Sequence, residues 1–313
     1  MSVLRFLRNV ALSLALAAAV AVLPGPAGAM QPVERGASSC LTPEAQGPAA
    51  AARGGSGGDT RPVSGSEQRA IDRQTRALLR QKGISAAKAA TTGATVPVYI
   101  HKMLSASGAG DVTDAQIKAQ LAELNQDFAG GENRRDADQT GFSFVLAGVD
   151  AYYNDSWHLD HSSSNYRKLT RLGGKDALNI WLVDFKYLGI ATFPWDYAKA
   201  PGIDGIRVHW GSLPGGPIAN YDEGKTATHE AGHWFGLFHT FQGGCTATND
   251  EVSDTPAQAS PTTGCPLGRD SCPDLPGLDP IHNYMDYSYD SCYDQFTPGQ
   301  GDRMSTMWAA YRA

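Results

Sequence analysis

Residues 225–241 read KTATHEAGHWFGLFHTF, and this stretch constrains the chain more than any other. His229 and His233 are four apart, so a helix places both imidazoles on one face, one turn above the other. His239 comes ten residues after His229. On an uninterrupted helix it would lie about 15 Å further along the axis and point roughly 80° away, out of reach of an ion held by the first two. Gly236 removes the conflict. Glycine readily adopts the left-handed conformation that ends a helix, and a helix stopping there lets the chain turn and carry His239 back. The pattern H-E-x-x-H-x-x-G-x-x-H then describes three imidazoles on one zinc, with a fourth position open. Structural zinc sites are closed, so the open position implies catalysis. Trp234, Phe235, Leu237 and Phe238 are apolar, which suits a helix with one face on metal and the other in the core.

Glu230 directly follows the first histidine, so its carboxylate can stand beside the open position. It is the expected general base, taking a proton from attacking water and delivering it to a leaving amine, while zinc activates the water and polarises the carbonyl. Residues 282–288, HNYMDYS, supply a second element. Met285 sits in a tight polar-aromatic turn of the kind that accompanies the long zinc signature, as an apolar floor under the histidines. Tyr287, two residues on, is placed to bring a hydroxyl toward the oxyanion.

The rest of the chain sets the setting for this chemistry. Residues 1–29 carry Arg5 and Arg8, an apolar run from Val10 to Val22, and Ala27-Gly28-Ala29, which together read as a secretory signal peptide. No later stretch is long and apolar enough for a membrane span, so no stable membrane insertion is expected once the signal is removed. A formal net charge of −6 gives no sign of nucleic-acid binding. Of five cysteines, four fall at 245, 265, 272 and 292. Export to an oxidising compartment favours two disulfides among them, with three pairings open. Cys40 is left over.

Residues 30–94 are poor in core-forming side chains and rich in Ala, Gly, Pro and Ser. They read as a largely disordered pro-segment or linker, with a short basic amphipathic helix before Gly83. From residue 95 to 313 the texture is that of one catalytic domain. VPVYIHKM, FSFVLAGVDAYY and LNIWLVDF read as strands, and VTDAQIKAQLAELNQDFAG as a helix capped by Thr113 or Asp114. LGIATFPWDY reads as a further strand, the region after the metal helix as loop-rich, and TPGQGDRMSTMWAAYR as a final helix.

From Val96 onward the chain resembles the pappalysin-type metzincins, specifically the secreted cytophagalysin-like zinc endopeptidases. The blocks that carry the likeness include VPVYIHKM, LNQDF, GFSFVLAGV, LGIATFPW, GKTATHEAGHWFGLFHTFQGGC, DEVSDTP and DSCPDLPGLDPIHNYMDYSYDSCYDQFT. The resemblance implies an α+β fold of the metzincin type. A mixed twisted sheet lies above the cleft, the active-site helix carries His229, Glu230 and His233, and a loop-rich, disulfide-stapled C-terminal subdomain ends in a helix. It also implies the catalytic-tyrosine role for Tyr287 and the pairings Cys245–Cys272 and Cys265–Cys292. Protein or peptide substrates, cleaved outside the cell by a monomer, are expected. Two other readings of the site are a zinc hydrolase of another amide or ester, and a secreted binding module on an inactive protease scaffold. The long signature, the Met285 turn and Tyr287 argue against the first, and the intact Glu230 and histidines against the second.

Further candidates stand beside this frame. NDEVSDTP offers Asp250, Asp254 and Thr255 as oxygen ligands for calcium, against a plain polar turn capped by Asp254. LGIATFPW matches the strand bordering the cleft, where an extended peptide can add as a further strand. The Cys40 thiolate is a soft zinc ligand able to fill the open position before the pro-segment is cut away, against an idle thiol in a tail. His158 and His161 are close on a turn, and His101, His209 and His282 read as structural. Some relatives select arginine through an acidic residue just before the last cysteine. Here Ser291 stands at that place and Asp290 one residue earlier, which puts basic specificity in doubt.

Overall fold

The computed structural model describes residues 61, 63–131 and 138–313. The signal peptide and Cys40 lie outside them. A five-stranded sheet has the order β2-β1-β3-β5-β4. Strands β1 (Ala94–Leu104), β2 (Phe142–Tyr153), β3 (Leu178–Val183) and β5 (Ile206–His209) run parallel to their neighbours, and β4 (Gly189–Ala191) closes one edge antiparallel to β5. The central strand β3 is buried throughout, while edge strand β2 alternates exposed and covered residues, as position in the sheet demands.

The two faces of β3 belong to different cores. Leu178, Ile180 and Leu182 join the main cluster with α3 (Asp114–Phe128) and α6 (Lys225–Phe235), whereas Trp181 and Val183 pack with Tyr166 of α5 (Ser163–Thr170). Thr113 is the N-cap of α3 in a reciprocal capping box with Gln116. Asn125 then fastens α3 to the sheet, donating to Phe144 O (3.0 Å) and accepting from Phe144 N (2.8 Å). Phe128, Phe142, Phe144 and Phe235 interlock in edge-to-face and tilted contacts between α3, β2 and α6. Each buried phenyl stabilises by about 1.5–3 kcal/mol.

The chain after α6 has little regular structure until α7 (Pro298–Met307), which opens with a capping box from Thr297 to Gln300. Its continuation, Trp308–Arg312, returns to α6. The Arg312 guanidinium lies 3.5 Å from the Trp234 ring centroid, bonds both Asp204 oxygens and donates to Trp234 O.

One expectation needs correction, and some elements were not foreseen. LGIATFPWDY is a strand only over Gly189–Ala191, because Pro194 starts a 3₁₀ turn, Pro194–Asp196, and cannot donate to a ladder. The four-residue β5 and the short helices α4 (Asp155–His158) and α5 escaped the periodicity reading, being too short to carry a period. Within residues 63–94 the short basic helix expected before Gly83 is present, and it is docked. Helix α1 (Gly65–Gln81) buries Ile71, Thr75 and Leu79, and α2 (Ala86–Ala90) buries Ala89. Ile71 joins Phe193, Trp195, Phe238 and Met307, and Leu79 joins Ala89, Ala309 and Ala310. One face of a basic helix, bearing Ile71, Thr75 and Leu79, was enough for docking.

Candidate active site

Helix α6 is buried along its whole length. It ends at Gly236, which is left-handed with φ +104° and returns its N–H to the helix. Leu237 N bonds Gly232 O at 3.0 Å, and Arg303 Nε satisfies Gly236 O at 3.0 Å. The chain then doubles back. His239 Nε2 comes to 3.0 Å from His233 Nε2, which is 3.1 Å from His229 Nε2. All three histidines are buried, and their potential ligand atoms lie within 4.8 Å of one another.

The other ring nitrogens fix the chemistry. His229 Nδ1 is 2.6 Å from Tyr284 O, and His233 Nδ1 is 2.9 Å from Leu237 O. A carbonyl only accepts, so each Nδ1 carries the proton and each Nε2 presents a lone pair. Two such lone pairs facing each other at 3.1 Å repel unless a cation stands between them. The donor set therefore fits a metal ion, held as metal-binding histidines usually are, with the far nitrogen anchored to backbone.

Glu230 is fully buried beside the strand edge. A Cβ at Gly189 would lie 2.3 Å from its Oε1 and 2.4 Å from its Cγ, so the carboxylate occupies room that only glycine leaves. Edge strand β4 bonds inward through Leu188 O, which accepts from His209 N, and through Thr192 N, which donates to Gly205 O. Antiparallel alternation therefore turns the N–H and C=O of Gly189 and Ala191 outward, next to Glu230.

Met285 sits beneath the helix. A Cβ at Gly232 would come 2.4 Å from its sulfur, so glycine within the signature lets the floor approach. Asn283 Oδ1 accepts from Met285 N, and Thr240 N donates to Met285 O, tying the floor to the residue after His239. The Tyr287 ring lies 4.9 Å from the His239 ring and 5.7 Å from the His229 ring, centroid to centroid.

The remaining candidates divide. Cys245 is bonded to Cys272 and Cys265 to Cys292. Cys265, Cys292 and His282 lie close together, but their sulfurs are taken by the disulfide, and His282 Nδ1 faces Cys292 O. Asp250 is buried, its Oδ2 has no hydrogen-bond partner among the described residues, and burial pushes its carboxyl up to about 8. The Thr255 hydroxyl lies beside it, and Asn249 Oδ1 is likewise unsatisfied. Asp254 does not join them. Both its oxygens serve the start of α7, accepting from Thr297 Oγ1 and Gly299 N at 2.8 Å each. Asp290 turns toward the 220–223 loop, where its Oδ2 accepts from Glu223 N. His158 Nδ1 meets Met103 O, and His101 bridges Asp150 and Asn179, both within the fold rather than the site. The sequence reading missed Gly189, Lys225, Tyr284 and Asp127. Only the acid buried in the apolar frame of LNQDF gave a signal.

The comparisons with known proteins agree with this geometry. A family profile described as peptidase M43, pregnancy-associated plasma protein-A, matches residues 189–309. An extracellular metalloprotease of Colletotrichum graminicola is 41% identical over 303 residues, covering 94% of this chain and 98% of that one. Another, of Neurospora crassa, is 44% identical over 244 residues, covering 76% and 81%. Among solved structures, promirolysin of Tannerella forsythia matches with a TM-score of 0.64 at 28% identity, covering 78% of this chain and 88% of that one. Mature mirolysin in complex with a cleaved peptide matches with a TM-score of 0.60 at 28% identity, covering 71% and 97%. With a metzincin-type α+β fold, a metal-fitting histidine triad and likeness over most of its length, the chain belongs to the extracellular metalloproteases of the peptidase M43, pappalysin, family and is a metalloendopeptidase.

Proposed function

We propose that this chain is a secreted zinc endopeptidase that hydrolyses peptide bonds with Glu230 as general base. The observation that carries the reading is the protonation pattern enforced on His229 and His233, whose Nδ1 atoms face backbone carbonyls and whose Nε2 atoms converge. Donors about 2.0–2.1 Å from a tetrahedral zinc lie about 3.3 Å apart, close to the 3.0–3.1 Å between these nitrogens. Three neutral imidazoles also suit zinc better than calcium or magnesium. His229, His233 and His239 hold the ion, which when bound supplies Lewis-acid activation of water and of the scissile carbonyl.

The chain's own groups do the rest. The outward N–H and C=O groups of Gly189 and Ala191 hold an extended peptide as an added strand, with its main chain passing beside Glu230. The Glu230 carboxylate takes the proton of the attacking water and gives it to the leaving amine. The Tyr287 hydroxyl donates to the developing oxyanion. Residues 1–29 act as signal peptide, 30–94 as pro-segment and 95–313 as catalytic domain. The relatives' description as extracellular metalloproteases supports secretion. Asp250 and Thr255 would hold calcium, since the buried Asp250 carboxylate with the Thr255 hydroxyl and the Asn249 Oδ1 beside it offers oxygens of the kind a hard cation takes.

Glu230→Ala tests the mechanism. The variant keeps its fold and its zinc, and kcat falls by about 10²–10⁴. Near-normal turnover in the zinc-loaded variant would sink the role of Glu230. Casein digestion abolished by a chelator and restored by zinc separates an endopeptidase from a hydrolase of other amides or esters.

A further inference from the structure

We infer that Asp127 is the positioning residue of the metal centre, locking the first turn of α6 to the Met-turn and thereby setting the orientation of His229; this rests on the zinc reading above. Asp127 lies near the C-terminal end of α3 and is fully buried. Its carboxylate collects three donors. Oδ1 accepts from Lys225 Nζ (2.7 Å) and from the Tyr284 hydroxyl (2.7 Å), and Oδ2 accepts from Thr228 Oγ1 (2.5 Å).

Two of these partners adjoin a ligand or its anchor. Thr228 precedes His229 in the chain. Tyr284 precedes Met285, and its carbonyl oxygen accepts the hydrogen bond from His229 Nδ1–H. The connections close a ring: Asp127 to Thr228, along the backbone to His229, across to Tyr284 O, and through the tyrosine to Asp127 again. A shift of α6 relative to the Met-turn stretches at least one of these bonds. In metal sites such outer partners fix the tautomer and the ring plane of the ligand.

Helix α6 needs this support. Gly224 is its N-cap and offers no side-chain cap, so the usual anchor of a first helical turn is missing. Lys225 and Thr228 replace it by reaching α3. The charge is balanced locally, because Lys225 also bonds Glu123. Burial works against the ammonium, but Asp127 and Glu123 outweigh it and hold Lys225 above the usual lysine range.

The test separates positioning from mere stability. Asp127→Asn strands Lys225 and can fail to fold, so the decisive variants are Thr228→Val and Tyr284→Phe. Each removes one hydroxyl and leaves the backbone carbonyl of Tyr284 in place. Zinc affinity is measured by chelator competition on the full chain after expression and purification, with folding checked by circular dichroism. Each variant binds zinc about tenfold more weakly, as outer-partner losses do. The double variant loses less than the product of the two, because both act through one carboxylate. Met103→Ala, in the separate cluster with Tyr166 and Trp181, lowers Tm yet leaves the zinc dissociation constant within about twofold. Unchanged zinc affinity in folded Thr228→Val and Tyr284→Phe overturns the proposal, as does an equal loss in Met103→Ala. If the parent protein itself binds no zinc, the zinc reading has failed instead, and the two failures are distinct.

Discussion

A single methyl group at Gly189 tests the coupling between the strand edge and the general base. A Cβ there would lie 2.3 Å from Glu230 Oε1, 2.4 Å from Cγ and 2.5 Å from Cδ. Carbon atoms settle at about 3.5–4.0 Å, so Glu230 must retreat by about 1 Å or more. It has little freedom to do so, since it is fully buried and its helix is pinned at both ends. Displacement of a catalytic group by about 1 Å costs on the order of 10²-fold in rate. Overpacking of this kind also costs about 1–3 kcal/mol of stability. Gly189→Ala is therefore expected to lose about 10²-fold in kcat, with KM changed by less than about threefold, zinc content intact and Tm lowered by several degrees. The assay is steady-state hydrolysis of a quenched fluorescent peptide, with metal analysis of the same sample. Because β4 is an edge strand, it has another way to relieve the clash, by moving outward from α6. Near-normal kcat in a folded Gly189→Ala protein would mean that it does so, and the reasoning fails. A loss confined to KM would point to peptide docking rather than to Glu230.

Other expectations follow from the same geometry. Reduction of Cys245–Cys272 or Cys265–Cys292 should cost about 2–5 kcal/mol for each bond, read as a lower Tm and lost activity; unchanged Tm under full reduction would count against a stapling role. In the absence of a cation the Asp250 carboxyl is raised to about 8, so it binds its proton more tightly in the native chain. Its contribution to stability is then largest below about pH 4 and fades as pH climbs through 8. Calcium must displace that proton, so the rise in Tm from about 1 mM calcium should grow between pH 5 and 8, and an equal or absent rise at both ends would refute it. A precursor blocked from processing should be silent with Cys40 and gain activity with Cys40→Ser; equal latency in both would exclude the thiol as the lock.

The helix carrying His229 and His233, its end at Gly236 and the return of His239 were legible in the sequence because they depend on neighbours. The four-residue spacing sets the face shared by His229 and His233, and the left-handed φ of Gly236 sets the turn that returns His239. The same holds for the long strands, since FSFVLAGVDAYY is rich in aromatic and branched apolar residues and coincides with β2. LNQDF was visible as a block, but nothing local says that Asp127 meets Tyr284, 157 residues later, or Lys225, 98 residues later. Burial makes that choice, because a carboxylate removed from water must find donors wherever the packed chain brings them. Gly189 is a similar case. Its small size looks like loop chemistry until the fold places Glu230 in the space a side chain would fill. The docking of α1 and the partner of Asp254 were hidden for the same reason. A weak apolar stripe becomes a docked helix only when α7 and its continuation offer a surface for it, and an acid in a polar turn becomes a cap only when a helix N-terminus arrives beside it. Periodicity and backbone preference are written along the chain, whereas the partners of buried charges are decided by contacts between segments far apart in it.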